Sequence, residues 1–252
     1  MPELWSRVSA VQPAPSPVVV ALTALLALVL VVQPTAWRWT RILVTITHEG
    51  GHATAALLSG RRLRGIRLHS NTSGLTVSSG RPSGPGMVVM LMAGYLGPAV
   101  VGLGAAGLLL AGHGLGLLWL FVALLAVMLV QIRNFFGFVA VICVGVGLGL
   151  VSWFLDPDQQ SALAYLLTWV LLVAAPKPVL ELIAARRRLR RPNGRSSIGS
   201  GPRSDVDQLA ALTRTPAWAW LGLFLMANLA GLALGATLLL PALVELVANL
   251  AP

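Results

Sequence analysis

Thr47-His48-Glu49-Gly50-Gly51-His52 is the stretch on which the reading of this chain turns. It has the form H-E-x-x-H and lies inside an apolar run from about Ile42 to Leu58. On a helix, His48 and His52 stand four residues apart and share one face. At that spacing two imidazoles can grip one Zn²⁺, with Glu49 beside it as general base for its water. No other acid lies between Arg41 and Leu58. A glutamate and two histidines in a segment otherwise fit for lipid are costly, and such residues are functional by default. The competing reading is a buried helix with incidental polar residues, because the motif also arises by chance.

Working outward, composition places this run in a membrane protein. Hydrophobic residues make up 56% of the 252 and charged residues 10%, against about 25% charged in a soluble domain. The mean hydropathy is +0.81. The net charge of +10 falls in short loops between apolar runs. That pattern favours anionic lipid headgroups and topology signals over nucleic acid, which needs a basic folded surface. One cysteine, Cys143, allows neither an internal disulfide nor a thiolate metal cage.

The pattern predicts an all-α integral membrane protein with about seven transmembrane helices. Residues 1–16 are a short lead. A membrane core fills 17–184, with spans near 17–32, 41–58, 87–110, 115–130, 135–155 and 162–183. Residues 33–40, with Pro34, read as a turn. A basic flexible linker occupies 185–204, and 205–252 hold a short interfacial helix and a last span from Ala217 to Leu240, with Trp218 and Trp220 as interfacial anchors. Between the second and third spans, Gly65–His69 and Gly74–Ser78 alternate apolar and polar residues around Ser70-Asn71-Thr72-Ser73, which predicts a β-hairpin. Its edge could take an extended substrate by backbone pairing; as an ordinary basic loop it would simply anchor topology. With the N-terminus in the cytoplasm, Arg61 to Arg81, Arg133 and Arg186 to Arg214 fall inside, as the positive-inside rule asks.

The chain resembles the site-2 protease family of intramembrane zinc metallopeptidases, closest to its short bacterial, peptidase-like branch. The residues that carry the likeness are His48-Glu49-x-x-His52, the basic hairpin, Ala93-Gly94-Tyr95-Leu96-Gly97-Pro98-Ala99, Arg133-Asn134-Phe135-Phe136-Gly137, and the segment from Ser204-Asp205-Val206-Asp207 to Thr213. The resemblance implies a bacterial plasma-membrane protein, a Zn²⁺ cofactor and a membrane-embedded or membrane-tethered protein substrate. It also implies a third protein ligand, an Asp in an Asn-x-x-Pro-x-Pro-x-Leu-Asp-Gly pattern. Asn134 matches the leading Asn here, Gly137 replaces the first Pro, and no Leu-Asp-Gly follows.

The third ligand must therefore come from elsewhere, since catalytic zinc usually takes three protein ligands and keeps one position open. Besides Glu49 the acids are Glu3, Asp156, Asp158, Glu181, Asp205, Asp207 and Glu245. Asp156 and Asp158 fall on the outer side, and Glu3 and Glu245 lie near the ends. Asp207 is the favoured ligand, at the cytoplasmic side just before the last span; Asp205 and Asn134 are the alternatives. The other role open to Asp205 and Asp207 is helix capping with a salt bridge to Arg203 or Arg214. Asn134 is also a candidate for binding substrate backbone, or for capping a helix. His69 and His113 read as loop residues. A non-proteolytic membrane scaffold keeping the same fold is the alternative to a peptidase, and a metal-bound transporter site ranks behind both because no paired repeat is present.

Overall fold

The computed structural model describes residues 2–189 and 204–240. The elements run α1 (Pro2–Ser9), α2 (Pro17–Val32), α3 (Pro34–Leu58), β1 (Arg62–Leu68), β2 (Gly74–Ser79), α4 (Pro85–Leu110), α5 (Gly114–Gln131), α6 (Phe135–Phe154), α7 (Pro157–Ala174), α8 (Lys177–Leu189), α9 (Asp205–Thr213) and α10 (Ala217–Leu239). Most of the linker expected at 185–204 lies outside the described residues, and its first part, through Leu189, belongs to α8.

Among the described residues, five stretches are long and apolar enough to cross a membrane: α4, α5, α6, the Pro157–Arg188 stretch of α7 with α8, and α10. α2 and α3 pass only as a pair, bent by 101°. This differs from seven separate spans for a physical reason. α2 has 16 residues, about 24 Å of helix, short of the ~30 Å hydrocarbon core. α3 carries Arg38, Arg41 and Glu49.

The bend also corrects the turn expected over 33–40. Pro34 instead opens α3 at its first turn, where its missing N–H costs nothing, and Gln33 caps it by accepting from the Ala36 N–H at 2.5 Å. The motif helix is thus 25 residues long rather than 18. Its N-terminal end is tied down, since the Trp37 indole donates to Glu181 at 2.8 Å and Arg41 lies 3.4 Å from the same carboxylate, while Lys177 holds the end of α2 by donating to the Val31 carbonyl. The predicted sixth span is continuous in sequence but breaks between α7 and α8, where Pro176 and Pro178 flank Lys177.

α3 and α4 pack backbone against backbone, and glycine is why. A Cβ at Gly51 would fall against the Ala93 carbonyl, and one at Gly97 would lie 2.6 Å from the Thr47 carbonyl. Without side chains there, the two backbones touch, as small residues permit between membrane helices.

The predicted hairpin is present, slightly longer than expected, with Ile66 opposite Thr76 and Leu68 opposite Gly74. A register shift between Leu63 and Gly65 marks a bulge. Paired residues share a face. Ile66 and Leu68 are buried at 1% and 0% exposure, whereas Arg62, Arg64 and Arg67 are exposed. The inner face lies on α3: Thr76 reaches Glu49, and the Thr45 hydroxyl donates to the Thr72 carbonyl at 2.8 Å. The free edge of β1 is taken up. The Arg133 N–H donates to the Ile66 carbonyl at 2.9 Å, and Ile132 bridges Ile66 in parallel.

Candidate metal centre

Two cavities flank α3. The larger, about 660 Å³, is apolar, lies on the face of Gly50 and Thr54, and contains none of His48, Glu49 or His52. The smaller, about 370 Å³, holds His48, Glu49 and Tyr95, with Thr45, Gly74 and the Arg41–Glu181 pair along its walls. Size does not decide between them; only the smaller has groups that can do chemistry.

His48 and His52 present their Nε2 atoms 3.1 Å apart. Asp205 completes a triangle, with Oδ2 3.3 Å from His48 Nε2 and 3.2 Å from His52 Nε2. A tetrahedral zinc with bonds of about 2.0–2.1 Å spaces its ligand atoms by roughly 3.3 Å, so these sides match. The second observation is the space left for an ion. A Cβ at Gly94 would fall against His52 Nε2 and lie 2.7 Å from His48 Nε2. Glycine at that turn of α4 leaves a cradle that any other residue would fill. The orientation of His52 is fixed by the backbone of α4. Its Nδ1–H donates to the Met90 carbonyl at 2.7 Å, leaving the Nε2 lone pair for a metal. The edge of the His48 ring meets Tyr95 at 5.1 Å, and Tyr95 stacks on Phe224 at 5.2 Å.

Of the candidate third side chains, the structure brings Asp205, one of the alternatives, to the histidines in place of the favoured Asp207. Asp207 does not face the histidines. Residues two apart on a helix point to different sides, and α9 turns Asp205 toward the site and Asp207 away. Asp207 forms a capping box with Ser204 and accepts from Arg186 Nη2 at 2.6 Å. The capping role considered for it is therefore the observed one, with Arg186 as its cation. Burial disfavours its charge, but the hydrogen bond from Ser204 and the guanidinium of Arg186 hold its carboxyl below the usual range. Burial also opposes the charge on Asp205, while hydrogen bonding and charge from His48 and His52 hold that carboxyl below the usual range too. Val206 and Leu209, each 0% exposed, lock α9 into a cluster with Leu91, Val179 and Phe224.

Asn134 belongs to the scaffold. Its Oδ1 accepts from the Leu68 N–H at 3.1 Å and its Nδ2 donates to the Leu68 carbonyl at 2.6 Å. Both ends of the amide are engaged with β1, so it neither joins the histidines nor lines their cavity. His69 sits in the hairpin loop and His113 at the start of α5, both away from the site. Glu49 is 3% exposed and lies under β2, where its Oε2 accepts from the Thr76 hydroxyl at 2.6 Å. The sequence reading assigns Thr76, Gly94 and Arg186 no role at the site: Thr76 is one residue of a predicted strand, Gly94 one of a small-residue motif, and Arg186 one of the basic topology signals.

A HExxH helix, a nearby carboxylate on a later helix and a bundle of membrane-length helices define a metallopeptidase-type membrane protein. The family model described as Peptidase M50B-like matches residues 21–235, most of the chain, and the chain belongs to that family, one of the site-2 protease kind. No curated protein and no solved structure matches it.

Proposed function

We propose that the chain is an intramembrane zinc metalloendopeptidase that cuts membrane-embedded or membrane-tethered protein substrates. The observation that carries this reading is the His48, His52 and Asp205 triangle beside the buried Glu49. Two histidines and one carboxylate suit zinc, and three protein ligands leave a position open, as catalytic rather than structural sites do. Asp205 here takes the place of the Asp expected from the missing Leu-Asp-Gly.

His48, His52 and Asp205 would hold zinc, which when bound would acidify its water and polarise the scissile carbonyl. Glu49 accepts the proton of the attacking water and returns it to the departing amide nitrogen. The Met90 carbonyl keeps His52 aimed, and Gly94 keeps the space between the rings open. A helical substrate must unwind first, because its peptide bonds are occupied by its own hydrogen bonds. The unwound segment needs a partner strand. The edge of β1 is taken by residues 132–134, while β2, among the described residues, pairs on one side alone. The substrate therefore adds to β2, beside Glu49. The host membrane in this reading is a bacterial plasma membrane with the hairpin and the chain's N-terminus on the cytoplasmic side.

The test is bound metal per chain in detergent, with cleavage of single-span peptides followed by mass spectrometry. The expected result is one zinc in the wild type, kept in Glu49→Gln and lost in His52→Ala and Asp205→Ala, with cleavage in the wild type alone. A wild type that binds no zinc in chelator-free buffer would leave a non-proteolytic scaffold in place of a peptidase.

A further inference from the structure

A general base must aim as well as ionise. The terminal torsion of a glutamate is soft and roughly two-fold, so an unpartnered carboxylate turns freely. Glu49 is not free. Thr76 Oγ1 lies 2.6 Å from its Oε2 and 3.2 Å from its backbone carbonyl. The hydroxyl has one proton, and the shorter contact, to the charged oxygen, is the stronger one. No other donor bonds this carboxylate among the described residues. On its other side is Gly74, where a Cβ would collide with Oε1, Cγ and Cδ of Glu49. Gly74 and Thr76 are two apart on β2 and so share its inner face. One oxygen is gripped by a hydroxyl while the other is confined against a bare Cα.

We propose that Thr76 is a positioning residue for Glu49, so that β2, the strand bordering the cleft, also sets the direction of the base. This rests on the peptidase reading above and adds a device to it. A substrate strand that pairs with β2 is placed in register with the same strand that holds Glu49. Docking and the aim of the base are then coupled through one side chain. A threonine serving only to fasten the hairpin to α3 would act on hairpin docking alone, and the Thr45–Thr72 and Ser78–Met90 contacts already fasten it at two other points.

Two measurements decide this. The first needs no activity: thermal unfolding of metal-free protein in detergent for Thr76→Val, Glu49→Ala and the double variant. Valine keeps the β-branched shape and the strand preference. The expected result is a double-variant shift smaller than the sum of the single shifts; additive shifts overturn the contact. The second is steady-state cleavage of a single-span peptide at matched zinc content. Thr76→Val should lower kcat by about 10- to 100-fold, the loss of one hydrogen bond to a charged group, with KM nearly unchanged. Thr76→Ser should restore most of kcat. A rise in KM with kcat intact, or equal losses in both variants, assigns Thr76 to hairpin docking and overturns the proposal. If the wild type binds no zinc and cleaves nothing, the peptidase reading fails, and the unfolding cycle still decides the Thr76–Glu49 contact.

Discussion

Replacing Asp205 by alanine, beside the same change at Asp207, separates a ligand from its neighbour two residues away. The magnitudes follow from what each carboxylate touches. Asp205 Oδ2 stands 3.2–3.3 Å from both histidine Nε2 atoms. Four-ligand zinc sites bind with roughly 10–16 kcal/mol, so one ligand carries about 2.5–4 kcal/mol. That is a loss of about 10²–10³-fold in affinity. Asp207 touches Ser204 and Arg186 and no ligand atom. Its loss weakens the cap of α9, worth about 0.5–2 kcal/mol, and reaches the metal only by loosening Asp205. Outer-shell losses of this kind cost about 10- to 100-fold, and the anchoring of Val206 and Leu209 favours the low end. Competition against a fluorescent zinc chelator at pH 7.5, in one detergent, measures all three proteins. The expected order is wild type, then Asp207→Ala about tenfold weaker, then Asp205→Ala weaker by a further order of magnitude or more. A larger loss in Asp207→Ala than in Asp205→Ala would refute the assignment of ligand and clasp, since Asp207 reaches the metal only through Asp205.

Three further outcomes are expected. Gly94→Ala should abolish zinc binding while leaving far-UV circular dichroism unchanged, because its methyl enters the space between the two Nε2 atoms; retained zinc would mean that the cradle is not where the ion sits. The two glycines inside the motif should respond oppositely in thermal unfolding: Gly50→Ala meets open space and should stabilise by about 0.5–1 kcal/mol, whereas Gly51→Ala meets the Ala93 carbonyl and should destabilise by about 1–3 kcal/mol. Asn134→Ala removes both bonds to Leu68 and should destabilise by about 1–3 kcal/mol with zinc affinity unchanged; a parallel loss of zinc would return Asn134 to the site.

Why some of this was legible in the sequence and some was not follows from the range of each signal. The pairing of His48 with His52, and the placing of Glu49 beside them, depends on one helix, whose period is fixed whatever surrounds it. The hairpin was legible because alternation and a turn-rich centre are local too. The bend between α2 and α3 was legible only as a break at Pro34. Proline there fits a loop as well as a first helical turn, and only packing of Trp37 and Arg41 against Glu181 decides for the helix. Ser204-Asp205-Val206-Asp207 shows the limit most sharply. The sequence places two acids on one short helix and cannot say which faces the histidines, because that depends on how α9 rolls about its axis. Two long-range terms set the roll: burial of Val206 and Leu209, and the reach of Arg186 across from α8. Together these terms explain why the aspartate nearer the helix start became the candidate ligand. Ser204 caps the third position of α9, so Asp207 is spent on the capping box and on Arg186. Asp205, one residue after the cap, is the acid left to turn inward. The cap that opens α9 therefore also decides which of its two aspartates faces the histidines.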